Sequence, residues 1–267
     1  MQFYQKLNNA IESKNSRVCI GLDPVLERLP RHLQQAANPV LTFLEQVVEA
    51  TQEWAAAYKP NFAYFEALGP EGLKTLEQII EKIPADSVII GDAKRGDVGH
   101  SAAMYAKAVF ETFSCDAVTV SPYQGEDALQ PFLEYEDKGT FVLCLTSNPG
   151  ADDFQVPYDL YLRVAEKVKS WNVRKNCGLV VGATRPGLIQ TVREVSGPMP
   201  FLIPGVGAQG GDLEETIKYA SDGTAIPYVI NASRSVLYAS NGEDFAQNAG
   251  EAAKQLCQSI NAAYKSS

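Results

Sequence analysis

A (β/α)₈ barrel is the fold this sequence predicts, on three observations. Eight short apolar runs recur along the chain, amphipathic stretches lie between most of them, and the 267 residues show no linker, low-complexity segment or shift of composition. Repeated strand-then-helix units call for a parallel sheet with right-handed crossovers. Eight such units in one domain spanning residues 1–267 suit a closed barrel better than a doubly wound sheet.

The elements follow in order. Phe3–Ser13 reads as a flanking helix, and Arg17–Leu22 as the first strand, ending in Gly21-Leu22-Asp23-Pro24. Val40–Ala55 is the first crossover helix, with Val40, Phe43, Leu44, Val47, Val48 and Trp54 close to a helical period. Ala56–Pro60 is the second strand, ending in Tyr58-Lys59-Pro60-Asn61, with Gly72–Ile83 behind it. Ser87–Asp92 is the third, built on the β-branched run Val88-Ile89-Ile90 and backed by Ser101–Phe113. Ala117–Ser121 and Thr140–Thr146 are the fourth and fifth, with no helix assigned between them. The fifth ends in Thr146-Ser147-Asn148-Pro149-Gly150 and leads to a helix over Tyr158–Trp171. Gly178–Ala183 is the sixth, followed by the shorter Pro186–Val195. Pro200–Pro204 opens into a glycine-rich loop and the helix Asp212–Ala220. Pro227–Asn231 closes the ring, followed by Ala232-Ser233-Arg234-Ser235 and a flanking helix, Ala246–Tyr264.

Composition narrows the function. The net charge is -9 with no basic run, which argues against nucleic-acid binding, since neutralising phosphates needs clustered Lys or Arg. No apolar run approaches the roughly 20 residues that span a bilayer. Met1–Lys6 lacks the apolar core of a signal peptide, so a cytoplasmic protein is expected. The five cysteines are scattered without a Cys-x-x-Cys pair, and only His32 and His100 supply imidazoles, so no metal site is expected. Cys19, Cys144 and Cys177 sit in or beside apolar runs and read as small hydrophobes.

In such a barrel the reactive groups belong at the C-terminal strand ends. The densest of these is Gly91-Asp92-Ala93-Lys94-Arg95-Gly96-Asp97-Val98-Gly99-His100-Ser101-Ala102. If strand geometry persists, Asp92 and Lys94 leave on one face. Charge beside a buried strand is costly unless it is paired. A lysine among carboxylates stays protonated, as suits a reaction that builds negative charge on carbon and then takes up a proton. Asp23 and Lys59, from other strands, read either as a cap and a surface lysine or as members of the same array with Asp92, Lys94 and Asp97. Such an array would preorganise charge.

Gly205-Val206-Gly207-Ala208-Gln209-Gly210-Gly211 matches Gly-x-Gly-x-x-Gly between a strand and a helix. A dinucleotide fold is excluded because only one strand follows. The loops after the seventh and eighth barrel strands often form a phosphate site, to which Gln209 and Arg234 can add donors. The plainer alternative is a structural turn with a surface arginine. The long connection Thr146–Pro157 is a candidate lid. His100 lies outside the strand without an orienting partner and reads as a solvent-facing residue.

The string Asp92-Ala93-Lys94-Arg95-Gly96-Asp97-Val98-Gly99 resembles the signature of the orotidine 5'-phosphate decarboxylases, in their longer-chain, mostly bacterial branch. Gly21-Leu22-Asp23-Pro24, Lys59-Pro60-Asn61-Phe62, the Gly205–Gly211 loop and Asn231-Ala232-Ser233-Arg234 extend the resemblance over nearly the whole chain. It implies decarboxylation of orotidine 5'-monophosphate to uridine 5'-monophosphate in pyrimidine biosynthesis, without metal or cofactor. Lys94 would stabilise and protonate the carbanion at the sixth pyrimidine carbon, and Asp92 would lie near the departing carboxylate. Lys59 and Asp23 would bind ribose hydroxyls and help hold Lys94. Ser147 would read the pyrimidine amide edge and Pro204 would line the base pocket. Gln209, Gly210 and Arg234 would hold the phosphate. Asp97 and Ser101 would reach into a partner's site, implying a homodimer. His100 and Ser101 depart from the usual small residue and threonine. Three alternatives remain: a metal-dependent barrel decarboxylase of sugar keto-acid phosphates, a non-catalytic nucleotide-binding regulator, and a Schiff-base aldolase, which a protonated Lys94 suits poorly.

Overall fold

The fold is a closed parallel barrel in strand order β1 to β8, seen in a computed structural model that describes residues 1–206, 211–221 and 226–266. The strands are β1 (Val18–Leu22), β2 (Ala55–Pro60), β3 (Val88–Arg95), β4 (Ala117–Val120), β5 (Gly139–Leu145), β6 (Cys177–Val181), β7 (Phe201–Pro204) and β8 (Tyr228–Ala232). Val18 pairs with Ala55 on one side and Ile230 on the other, which closes the ring.

Side-chain alternation divides the barrel into two packed layers. Cys19, Ala57, Ile90, Ala117, Phe141, Val180, Leu202 and Val229 belong to the inner cluster. Ile20, Tyr58, Val118, Val142, Leu179, Ile203 and Ile230 belong to the outer cluster, which includes helix residues such as Phe43, Leu76 and Ile189. Each fully buried side chain of this size stabilises the fold by about 1.5–3 kcal/mol. The helix Phe3–Lys14 lies across the lower end, with Phe3, Leu7 and Ile11 in the inner cluster. Phe3 meets Phe141 edge to face at 5.8 Å, and a Cβ on Gly139 would stand 2.5 Å from the Phe3 ring.

The helices depart from the periodicity in several places, and the first crossover helix, expected over Val40–Ala55, runs Pro39–Thr51 and leaves Ala55 to β2. Glu126–Leu133 is a helix behind β4 that the apolar spacing did not reveal, being eight residues long with Pro131 inside it. The helix after β3 covers Gly99–Lys107 and then widens into a π-turn, Ala108–Thr112, rather than running evenly to Phe113. The helix expected from Tyr158 begins at Leu160, because Tyr158 and Asp159 sit at φ 56° and 54°. Among the described residues no helix is long and apolar enough to cross a membrane. All five cysteines are buried and free.

Candidate active site

Inward positions recur every second residue along each strand, so the next step up from the inner cluster places Lys59 above Ala57, Asp92 above Ile90 and Thr119 above Ala117. Lys59 and Asp92 are 5% and 7% exposed, which makes charge pairing obligatory. Asp92 Oδ2 accepts from Lys59 Nζ at 2.5 Å, and Asp92 Oδ1 from Lys94 Nζ at 2.5 Å. Thr119 Oγ1 donates to Asp92 Oδ1 at 2.9 Å, and the Lys94 backbone N–H donates to Thr119 Oγ1 at 3.0 Å. One carboxylate thus holds two ammonium groups from different strands.

Burial alone would push the Asp92 carboxyl up. The Lys59 and Lys94 ammoniums beside it, and their hydrogen bonds, outweigh burial and hold it well below the usual carboxylate range. Burial likewise pulls Lys59 down, while Asp92 and then Asp23 hold it above its ordinary value. Cys19, beneath them, is pushed up to about 12 by burial and stays a neutral thiol.

Lys94 reaches Asp92, but not by the regular strand geometry expected of it. Its backbone sits at φ 47°, in the left-handed region, and the β3–β4 register shifts between Gly91 and Arg95. The turn leaves the Lys94 side chain half exposed, facing the mouth, while its ammonium returns to Asp92. Such a conformation costs about 1–3 kcal/mol and persists only where its surroundings impose it.

A cavity of about 440 Å³ opens above the array. Leu143, Val180, Leu202 and Pro204 form its apolar wall, and Thr146, Ser147, Asn148 and Gln155 its polar rim. Ser147 and Pro204 therefore share one cavity with Lys59, Asp92 and Lys94. Asp23 follows β1, with Oδ1 buried and without a hydrogen-bond partner among the described residues. Arg234 is exposed at the start of the short helix Arg234–Leu237 after β8. Gln209 and Gly210 lie outside the described residues. At the edge of that loop, Gly211 N–H donates to Gly205 O at 3.2 Å, with Gly205 at φ 96°.

Asp97 does not join the array of its own chain. Its Oδ1 accepts from the Val98 N–H at 2.8 Å, and Asp97 and Ser101 sit at the surface side of the mouth. His100 is exposed. Sequence reasoning missed two contributors. Thr119 carried a usable signal, its alternation with Ala117. Gln155 carried none: it comes from nine residues away to accept the Thr146 N–H at 2.7 Å and to donate to Thr146 Oγ1 at 2.8 Å. The candidate lid is further tied by a two-pronged ion pair, Arg185 Nη1 and Nη2 to Asp152 Oδ1 and Oδ2 at 2.6 and 2.8 Å.

A closed (β/α)₈ barrel with a lysine–carboxylate array at its C-terminal strand ends is the layout of a barrel enzyme. Residues 16–249 match the orotidine 5'-phosphate decarboxylase / HUMPS family. A relative named orotidine 5'-phosphate decarboxylase in Roseiflexus castenholzii is 47% identical, covering 99% of each chain. Its namesake in Herpetosiphon aurantiacus is 49% identical over 97% of this chain and 96% of its own. The solved structure of Leishmania donovani OMP decarboxylase superposes with a TM-score of 0.84 at 39% identity, covering 99% of both chains. The chain belongs to the orotidine 5'-phosphate decarboxylase / HUMPS family.

Proposed function

We propose that this chain, a single domain, decarboxylates orotidine 5'-monophosphate to uridine 5'-monophosphate through the Lys59–Asp92–Lys94 array. The observation that carries the reading is one buried carboxylate bridging two ammonium groups below a cavity of about 440 Å³. The relatives that bear the decarboxylase name, matched over 99% and 96% of their own length, support this reaction.

The bond from the sixth ring carbon to the carboxylate breaks, carbon dioxide leaves, and the electron pair stays on that carbon in the ring plane, outside the π system. Lys94, as an ammonium, stabilises the pair and transfers one proton to it. The resulting neutral amine regains a proton from water. Asp92 faces the departing carboxylate and fixes Lys94, while Lys59 keeps Asp92 ionised and reaches the ribose with Asp23. Ser147 reads the pyrimidine edge, Pro204 packs on the base, and Gln209, Gly210 and Arg234 take the phosphate. Phosphate binding, remote from the reacting carbon, helps lower the barrier by closing the lid. The charge stabilisation comes from Lys94, so neither metal nor cofactor enters a step. Five free thiols fit a reducing, cytoplasmic location.

Loss of the orotate ultraviolet band measures the reaction, and excess EDTA is expected to leave the rate unchanged. A folded protein that leaves the band intact, yet acts on a keto-acid sugar phosphate when magnesium is added, would overturn the assignment.

Asp97 and Ser101 complete a partner's site in this reading, making the active form a homodimer. Val98, Met104 and Tyr105, beside them, are 50%, 49% and 38% exposed, an apolar surface of the kind an interface covers. Lys94→Ala and Asp97→Ala chains, each inactive alone, should recover about a quarter of normal activity when refolded as an equal mixture. Half the dimers are then mixed, and each mixed dimer carries one intact site. No recovery in mixed dimers would sink the shared-site arrangement.

A further inference from the structure

The left-handed backbone of Lys94 needs something to hold it, since a side chain with a Cβ disfavours that region. The hydroxyl bonded to its N–H also bonds the carboxylate that holds its ammonium. We propose that Thr119 is a positioning residue for the reaction: its hydroxyl grips Lys94 by the backbone and, through Asp92, by the ammonium. The inference rests on the decarboxylase reading above.

The bond directions are fixed by chemistry. A backbone N–H can only donate and an ionised carboxylate can only accept. The Thr119 oxygen therefore accepts from Lys94 N–H at 3.0 Å, and its proton goes to Asp92 Oδ1 at 2.9 Å. Lys94 Nζ, 2.5 Å from the same oxygen, closes a ring from the Lys94 backbone through Thr119 and Asp92 back to the Lys94 side chain. Thr119 is 1% exposed, so water is poorly placed to replace it. Its branched Cβ limits χ1 and keeps the hydroxyl aimed. The ring sets where the ammonium rests relative to the cavity, and misplacing a reacting group by about 1 Å is enough to cost about 100-fold in rate.

The test separates the hydroxyl from the shape. Thr119→Val keeps the volume and branch but removes the hydroxyl, whereas Thr119→Ser keeps the hydroxyl and loses a methyl. With orotidine 5'-monophosphate as substrate, kcat should fall about 100-fold in the valine variant, with KM within about threefold, and the serine variant should stay within about fivefold of normal. Amide exchange of Lys94, followed by NMR in the unliganded protein, should be slow in the unaltered protein and the serine variant and fast in the valine variant. An unchanged kcat in the valine variant, an equal fall in both variants, or a Lys94 amide still protected without the hydroxyl would each overturn the proposal. Should the valine variant not fold, Thr119→Ala against Thr119→Ser gives the same comparison: a much slower alanine variant supports the role, and equal rates reject it. If the unaltered protein does not consume the nucleotide, the decarboxylase reading falls, while the exchange comparison still decides whether Thr119 holds Lys94.

Discussion

Lys94→Ala should lower kcat by about 10⁴-fold or more while nucleotide binding survives. The size follows from two roles lost together: general acid catalysis is worth about 10²–10⁴ and a preorganised charge at the reacting atom about 10²–10³. Folding should survive, because Lys94 is half exposed and its removal leaves Asp92 with Lys59 Nζ and Thr119 Oγ1 as donors. Alanine keeps the Cβ, so the cost of the left-handed backbone at this position is unchanged by the substitution. Turnover by ultraviolet absorbance and binding of uridine 5'-monophosphate by calorimetry check the two halves separately. A variant retaining a tenth of normal kcat would exclude Lys94 as the proton donor. A variant that no longer binds nucleotide would make it a binding residue instead.

Asp92→Asn should be the most destabilising single change in the site. It removes the counter-charge from Lys59, which is 5% exposed. Breaking a buried ion pair from one side typically costs about 3–5 kcal/mol, because the other charge stays behind. At about 2–4 °C per kcal/mol for a chain of this class, the melting temperature should drop by roughly 6–20 °C near neutral pH. The penalty depends on pH in a direction set by the two groups. Asp92 titrates lower in the fold than in the unfolded chain, so its contribution is present above the unfolded value of about 4 and is lost as pH falls through and below it. Lys59 titrates higher in the fold, so its contribution is present below the unfolded value of about 10.5 and is lost as pH rises beyond it. The gap between normal and variant protein should therefore be widest between those limits and narrow toward pH 3. Denaturant midpoints at pH 7 and about pH 2.5 measure it. An equal gap at both would show that the carboxylate charge contributes nothing. Catalysis should fall with stability, since Asp92 also fixes Lys94.

The ring of strands was readable because each apolar run is short and is followed by polar or glycine-rich residues. Asp23, Lys59 and Asp92 were readable for the same reason, each standing where an apolar strand ends, whereas Pro204 was implied only by the family resemblance. The path of Lys94 was not. From sequence it shares a face with Asp92 by strand period, whereas its backbone turns left-handed and its N–H donates to Thr119 on β4, 25 residues away. No local propensity encodes that bond. Gln155 was hidden similarly, since its partner is fixed by how the lid folds back. The helix Glu126–Leu133 escaped notice because two turns broken by Pro131 give too short a period to count. The phosphate loop remains an expectation at Gln209 and Gly210, which lie outside the described residues.

The helix that lies across the lower end of the barrel has a consequence for traffic. Phe3, Leu7 and Ile11 stop the floor with apolar side chains packed against Phe141 and its neighbours, so the interior is a vessel with a base rather than a tunnel. Among the described residues, that floor leaves the C-terminal mouth as the route for substrate and product, beside the segment pinned by Arg185 and Asp152.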